Sequence, residues 1–214
     1  MIVILVGPPG AGKGTQCKKL VEQFDMKHLS SGDIFRSEIA GKTDLGQKAK
    51  QHIDKGELVP DELVIDMMIS AVKNADYNCI LDGFPRTLPQ AEQLDKALEK
   101  ENTKIDAVIE LAVNDETVVQ RISKRRVCPD CGAVYHLETM PPMQDGICDK
   151  CGSKIIQRDD DKREVVLERL ETYHKMTEPI ISHYKDASAA YIEIDGSQRP
   201  EAITNDIAQR LKEA

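Results

Sequence analysis

Gly7-Pro8-Pro9-Gly10-Ala11-Gly12-Lys13-Gly14-Thr15 has the composition of an anion cradle. Its glycines let backbone N–H groups turn inward around a phosphate, and Lys13 adds a compact positive charge. The apolar run Met1–Val6 precedes it, and helical spacing of Cys17, Leu20, Val21 and Phe24 follows. A strand, a glycine-rich turn and a helix N-terminus are the setting that phosphate binding requires. The strict pattern has Ser or Thr directly after the lysine, whereas here Gly14 stands there and Thr15 follows. A structural turn with an exposed lysine is the plainer reading, but the glycines and lysine at these spacings argue against it.

Cys128-Pro129-Asp130-Cys131 and Cys148-Asp149-Lys150-Cys151 form a second chemical set, Cys-x2-Cys-x16-Cys-x2-Cys, with Gly132 and Gly152 closing each pair. Four thiolates with no vacant position describe a closed, structural zinc site, with Fe–S ligation or a redox dithiol as alternatives. The segment from Val127 to Gln157, with three prolines and several glycines, reads as loop and hairpin inserted into a continuous core. Cys17 and Cys79 are left over and read as small core residues.

The elements around these sets alternate. Strands are expected at Met1–Val6, near His28, at Cys79–Leu81, Ala107–Val113 and Tyr191–Ile194. Helices are expected at Thr15–Phe24, after Ser31 or Asp33 as cap, over Leu45–Lys55, from Pro60, and over Leu88–Lys100, Glu116–Arg125, Val165–Met176 and Ala202–Lys212. That order predicts an α/β fold with a mostly parallel sheet. The 214 residues suit one core carrying inserted lobes. Charged residues at 31% and hydrophobic ones at 40% exclude a disordered or fibrous chain. A net charge of -8 argues against nucleic acid as a partner, so any anion must be met by local arginines and lysines. Met1–Val6 is too short for a membrane span or a signal core, so no membrane partner and a cytoplasmic location are expected.

GPPGAGKGT, Ser31-Gly32-Asp33 with Arg36, Leu81-Asp82-Gly83-Phe84-Pro85-Arg86 and Arg125-Arg126-Val127, in that order, resemble adenylate kinase. With the cysteine pairs, the resemblance is to the long form with a zinc-binding lid, and it extends over essentially the whole chain. Gly-Lys-Gly-Thr is normal in that family. The resemblance implies a P-loop parallel sheet flanked by helices over residues 1–29, 60–123 and 162–214, a helical AMP-binding lobe over 30–59, and a zinc-stapled β lid over 124–161. It implies reversible transfer from ATP to AMP giving two ADP, with Mg²⁺, structural Zn²⁺ and a monomeric chain.

Residue by residue, Gly10, Ala11, Gly12, Lys13, Gly14, Thr15, Arg121, Arg125, Val134, Tyr135 and Gln198 would then contact ATP. Ser31, Arg36, Glu57, Leu58, Val59, Gly83, Phe84, Pro85, Arg86, Gln90, Arg158 and Arg169 would contact AMP, Gln90 reading its adenine edge. Arg158 and Arg169 would close over the transferring group, so that Lys13, Arg86, Arg125, Arg158 and Arg169 carry catalysis. Asp82 would anchor Mg²⁺ through water, and Asp160 and Asp161 would hold the lid. Cys128, Cys131, Cys148 and Cys151 would take zinc. A kinase of the same fold with another acceptor base is the nearest rival. A nucleic-acid- or protein-binding zinc ribbon and a GTPase are further ones, the last lacking Asn-Lys-x-Asp.

Overall fold

The computed structural model describes residues 1–187 and 189–213. Five parallel strands form the central sheet: β1 (Ile2–Val6), β2 (Lys27–Ser30), β3 (Cys79–Asp82), β4 (Ala107–Ala112) and β7 (Ala190–Asp195), in the order β2-β3-β1-β4-β7. The run Ile-Val-Ile-Leu-Val makes β1 central because both of its faces can be buried, and all of its residues are. Val3 pairs with Ile80 on one side and Ala107 on the other.

Alternate residues of the strands feed two cores. Ile2, Ile4 and Leu81 pack with Met68 of α4 (Asp61–Asn74), Leu94 of α5 (Leu88–Lys100) and Ile180 of α8 (Pro179–Lys185). Val3, Leu5 and Ile80 pack on the opposite face with Cys17 and Leu20 of α1 (Lys13–Phe24) and Ile207 of α9 (Pro200–Glu213). The predicted α/β architecture is the one observed. Among the described residues, no helix is long and apolar enough to cross a membrane.

Two segments stand out from this core. After β2 the chain forms α2 (Ser31–Ala40) and α3 (Asp44–Ile53), whose Phe35 and Ala49 join the first core. Ser30, rather than Ser31 or Asp33, caps α2: its hydroxyl accepts from the Asp33 N–H at 3.2 Å. The Asp33 carboxylate instead takes a hydrogen bond from Arg36 at 2.6 Å. The second segment follows α6 (Asp115–Ser123). Here β5 (Arg125–Val127) pairs antiparallel with β6 (Val134–His136), and Val127 bridges to Ile156. The expected helix Glu116–Arg125 therefore ends early, because Arg125 is taken into a strand.

The helix expected over Val165–Met176 is also shorter. α7 (Arg163–Thr172) runs into a π-helical turn over Tyr173–Thr177 and then into α8. That turn lets Thr177 donate from its hydroxyl to the Arg86 carbonyl at 2.9 Å.

Candidate active site

The loop between β1 and α1 brings Lys13 to the carboxyl end of the sheet, where strand-end loops form the crevice of an open α/β fold. Lys13 Nζ donates to the carbonyls of Gly7 at 2.6 Å and Pro8 at 2.9 Å, folding back over its own loop. A cavity reaches from Lys13, Gly7 and Pro9 to Gly83, Arg86 and Arg169. Leu58 and Pro85 also line it.

The loop after β3 is built around Arg86. Gly83 has φ +74°, and a Cβ there would lie 2.5 Å from Arg86 Nη2, so only glycine lets the guanidinium fold against this turn. Arg86 Nε donates to the Gly83 carbonyl at 2.7 Å, and Ser31 Oγ donates to the same oxygen at 2.6 Å. The Arg86 N–H donates to Gln90 Oε1 at 2.7 Å. Gln90 Nε2 in turn donates to Asp61 Oδ1 at 2.6 Å, leaving Gln90 buried. Asp61, at the start of α4, also accepts from the Thr87 hydroxyl at 2.9 Å. The sequence showed Asp61 only as a first-turn acid, because its partners lie across a helix pair.

The remaining arginines converge from the cysteine-bearing segment and α7. Arg125 forks onto Asp161, with Nε at 2.9 Å from Oδ2 and a second bond from Nη2 to Oδ1. Arg169 Nη1 donates to the Asp160 carboxylate at 2.8 Å and to the Asp160 carbonyl at 2.9 Å. Burial and then the positive neighbours Arg36 and Arg125 pull the Arg158 guanidinium down to about 10. Arg86 is likewise pulled down to about 10 by burial, with Arg169 adding to the effect. Burial lowers the Lys13 ammonium to about 8; Asp82 opposes this, while Arg86 and Arg169 reinforce it.

The carboxylates behave in the complementary way. Burial pushes the Asp82 carboxyl up, but the His28 hydrogen bond and the Lys13 charge outweigh it and hold the group below its usual range. Asp160 is held low by Arg169, Arg125 and Arg158 against the same burial. Cations outnumber carboxylates here: Lys13, Arg36, Arg86, Arg125, Arg158 and Arg169 face Asp33, Asp82, Asp160 and Asp161. Burial and the excess positive charge disfavour the charged forms of Lys13, Arg86 and Arg158, and a bound anion would offset the excess.

Other predicted contacts lie elsewhere. Arg121 of α6 donates to the Gly196 carbonyl at 2.8 Å and to Ser197 at 3.3 Å, beside Gln198. Glu57 is not among the residues lining the cavity; its carboxylate lies 3.1 Å from His52 Nδ1. Val59 and Phe84 are buried in the core. Tyr135 turns its ring into a small core with Ala133 and Ile155, and its hydroxyl accepts from the Asp149 N–H at 2.8 Å.

The four cysteines meet as their spacing suggested. Cys128, Cys131, Cys148 and Cys151 offer sulfurs all within 4.8 Å of one another. The two knuckles repeat one backbone pattern: the Gly132 N–H donates to the Cys128 carbonyl at 3.0 Å, and Gly152 to Cys148 at 2.8 Å. The all-sulfur donor set and the paired turns fit zinc. Lys18 of α1 donates to the Gly132 carbonyl at 3.1 Å, so one knuckle rests against the phosphate-loop helix.

A strand-to-helix glycine loop at the sheet's carboxyl end, faced by convergent arginines, defines a P-loop nucleotide-binding protein. Residues 5–189 match the family model described as adenylate kinase. The chain is 51% identical over 200 residues to an adenylate kinase of Lachnospira eligens, covering 92% of this chain and 93% of that one. It is 47% identical over 214 residues to one from Finegoldia magna, covering 99% of both. It is 49% identical to one from Archaeoglobus fulgidus, covering 99% of this chain and 98% of the relative. The chain belongs to the adenylate kinase family.

Proposed function

We propose that the chain moves the terminal phosphoryl group of ATP directly onto AMP, giving two ADP, and runs the reverse reaction equally through the same site. The observation that carries this reading is the cavity lined by Lys13, Arg86 and Arg169, part of a surplus of half-buried cations in which Lys13, Arg86 and Arg158 are all depressed by desolvation. Bound phosphates would relieve that repulsion, and the fixed positive groups would then meet charge as it shifts between the nucleotides. No covalent enzyme intermediate is needed, because proximity and charge compensation suffice.

Within this reading the phosphate loop and Lys13 hold the ATP phosphates, and Arg121 with the Gln198 loop flanks its base. Val134 and Tyr135 contribute backbone to that side, since the Tyr135 ring is committed to the knuckle core. Arg36 and Arg86 grip the AMP phosphate in forked hydrogen bonds. Arg125, Arg158 and Arg169 close over the group in transit and exclude water from it. Gln90, held between Arg86 and Asp61, sets the edge that reads adenine.

Asp82 would anchor Mg²⁺ through water, and the ion would supply further charge neutralisation when bound with ATP. Zinc in the four-cysteine cluster would stiffen a small β lid over residues 124–161 that has too little core to hold itself. Residues 30–59 would form the AMP lobe, and the rest of the chain the core of a monomeric, cytoplasmic enzyme.

The test is ADP formation from Mg·ATP with each of AMP, GMP, CMP and UMP. Turnover with AMP alone is expected. Preference for another acceptor would keep the mechanism and overturn the assignment of Ser31 and Gln90, and inactivity with all of them would overturn the reaction.

A further inference from the structure

A second set of metal-ligating side chains lies beneath the phosphate loop, away from the four paired cysteines. Cys17 Sγ, a His28 ring nitrogen and an Asp82 carboxylate oxygen all lie within 4.8 Å of one another. His28 Nε2 is 3.2 Å from Asp82 Oδ2.

The fold itself creates the group. His28 on β2 pairs in register with Ile80 on β3, so Asp82, two residues on, is its diagonal neighbour on the same sheet face. Ile80 packs with Cys17, which puts α1 over that face. Cys17 follows Lys13 by one helical turn, bringing its sulfur down beside the phosphate loop. Cys17 is fully buried, and His28 and Asp82 keep side-chain exposures of 18% and 14%.

We propose that Cys17, His28 and Asp82 form a second, inhibitory site for a zinc-class divalent ion, in which the metal takes Asp82 away from the phosphotransfer reaction. The donor set decides the ion. Magnesium favours oxygens and retains its waters, whereas one thiolate, one imidazole and one carboxylate match Zn²⁺ or Co²⁺. In a tetrahedral site the ligand atoms stand roughly 3.3–3.7 Å apart, so the widest separation in the group needs to contract by at most about 1.5 Å. Three protein ligands leave a fourth position for water, as in open zinc sites. On binding, the Cys17 thiol proton leaves to solvent and the sulfur–metal bond replaces it.

The inhibitory consequence rests on the proposed reaction. Asp82 is the carboxylate placed to anchor Mg²⁺, and Gly14 of the phosphate loop lies against its Oδ2, where a Cβ would come within 3.5 Å. A divalent ion here would occupy that oxygen and place new positive charge beside Lys13.

Protein already carrying one zinc per chain is dialysed against buffered micromolar Zn²⁺. Bound zinc is counted by elemental analysis, and ADP formation is measured at the same free zinc. Wild type is expected to hold two zinc ions per chain and lose activity. Cys17→Ala and His28→Asn are expected to hold one, and to need at least about tenfold more zinc for the same inhibition. Zn·ATP forms equally for all three proteins, so a difference among them reports the site. His28→Asn sits on a strand and carries the test alone if Cys17→Ala does not fold. A single zinc in wild type, or a second zinc that survives both substitutions, overturns the proposal. A second zinc lost in both variants, in a chain with no phosphotransfer at any zinc level, upholds the site and overturns the reaction instead.

Discussion

Arg125 and Asp161 form a forked pair in which the carboxylate is wholly buried, with Arg125 Nε 2.9 Å from Asp161 Oδ2. The pair joins the start of β5 to the short 3₁₀ turn over Asp159–Asp161, the two points where the cysteine-bearing segment leaves and rejoins the core. Removing one partner of a buried pair strands the other charge. Asp161→Ala should therefore destabilise the fold by about 3 kcal/mol and raise the KM for ATP, as Arg125 loses its orientation. Denaturant titration and initial rates check both effects. A stability change under about 0.5 kcal/mol would place the pair outside the energetics of the segment.

Lys13 should impose a pH limit on ATP use. Its ammonium titrates near 8 in the free protein, chiefly because it is buried. As pH rises through that value the free enzyme loses the charge, so kcat/KM for ATP should fall while kcat, measured with phosphates bound, holds to higher pH. The stability sign is opposite. The unfolded chain keeps the proton up to its ordinary value of 10.5, so between about 8 and 10.5 this group makes the unliganded fold more stable as pH rises. Lys13→Met should abolish the kcat/KM limb and lower kcat by about two orders of magnitude or more. Near-normal turnover in that variant would mean that the reaction centre lies elsewhere.

Much of this was legible where signals are local. The apolar run Ile2–Val6, the glycine loop and the cysteine spacing each announce themselves within a few residues, and each occupies the expected element or cluster. Long-range pairing was not legible. Arg125 reads as the tail of a helix until β6 arrives to claim it as a strand. The seven residues of α8 carry only a short apolar pattern, Ile180, Ile181 and Tyr184, and a π-helical turn blurs its start, so nothing local in the sequence marks it. The hold of Asp61 on Gln90 and Thr87 crosses more than twenty residues of sequence, with no periodicity to betray it.

On the proposed reaction, Arg86 should separate the two nucleotides. Its backbone is fixed by Gln90 and Thr177, and its side chain turns into the cavity beside Ser31 and Gly83. Arg86→Ala should raise the KM for AMP by about a hundredfold, the loss of charge-assisted hydrogen bonds worth roughly 1.5–3 kcal/mol each. The Kd for ATP, measured without AMP, should change far less. Equal losses for both nucleotides would remove Arg86 from the AMP side.

The cysteine cluster should govern stability more than turnover. Its core is small, with Cys128, Ala133, Tyr135, Cys148 and Ile155 buried together, so a cross-link through the four sulfurs would add much of the segment's stability. The Tyr135 hydroxyl lies 3.3 Å from Cys148 Sγ, within hydrogen-bond reach of the thiolate a metal would need there. Cys148→Ser should lose zinc and several degrees of melting temperature. Because the arginines of the cavity lie outside the knuckles, the variant should keep substantial activity well below its melting point. Chelation of wild type should reproduce the same shift in melting temperature. A folded Cys148→Ser protein without activity would show instead that the cluster positions Arg125 and Arg158 for the reaction, and a variant with unchanged melting temperature would show that the sulfurs hold no structural ion.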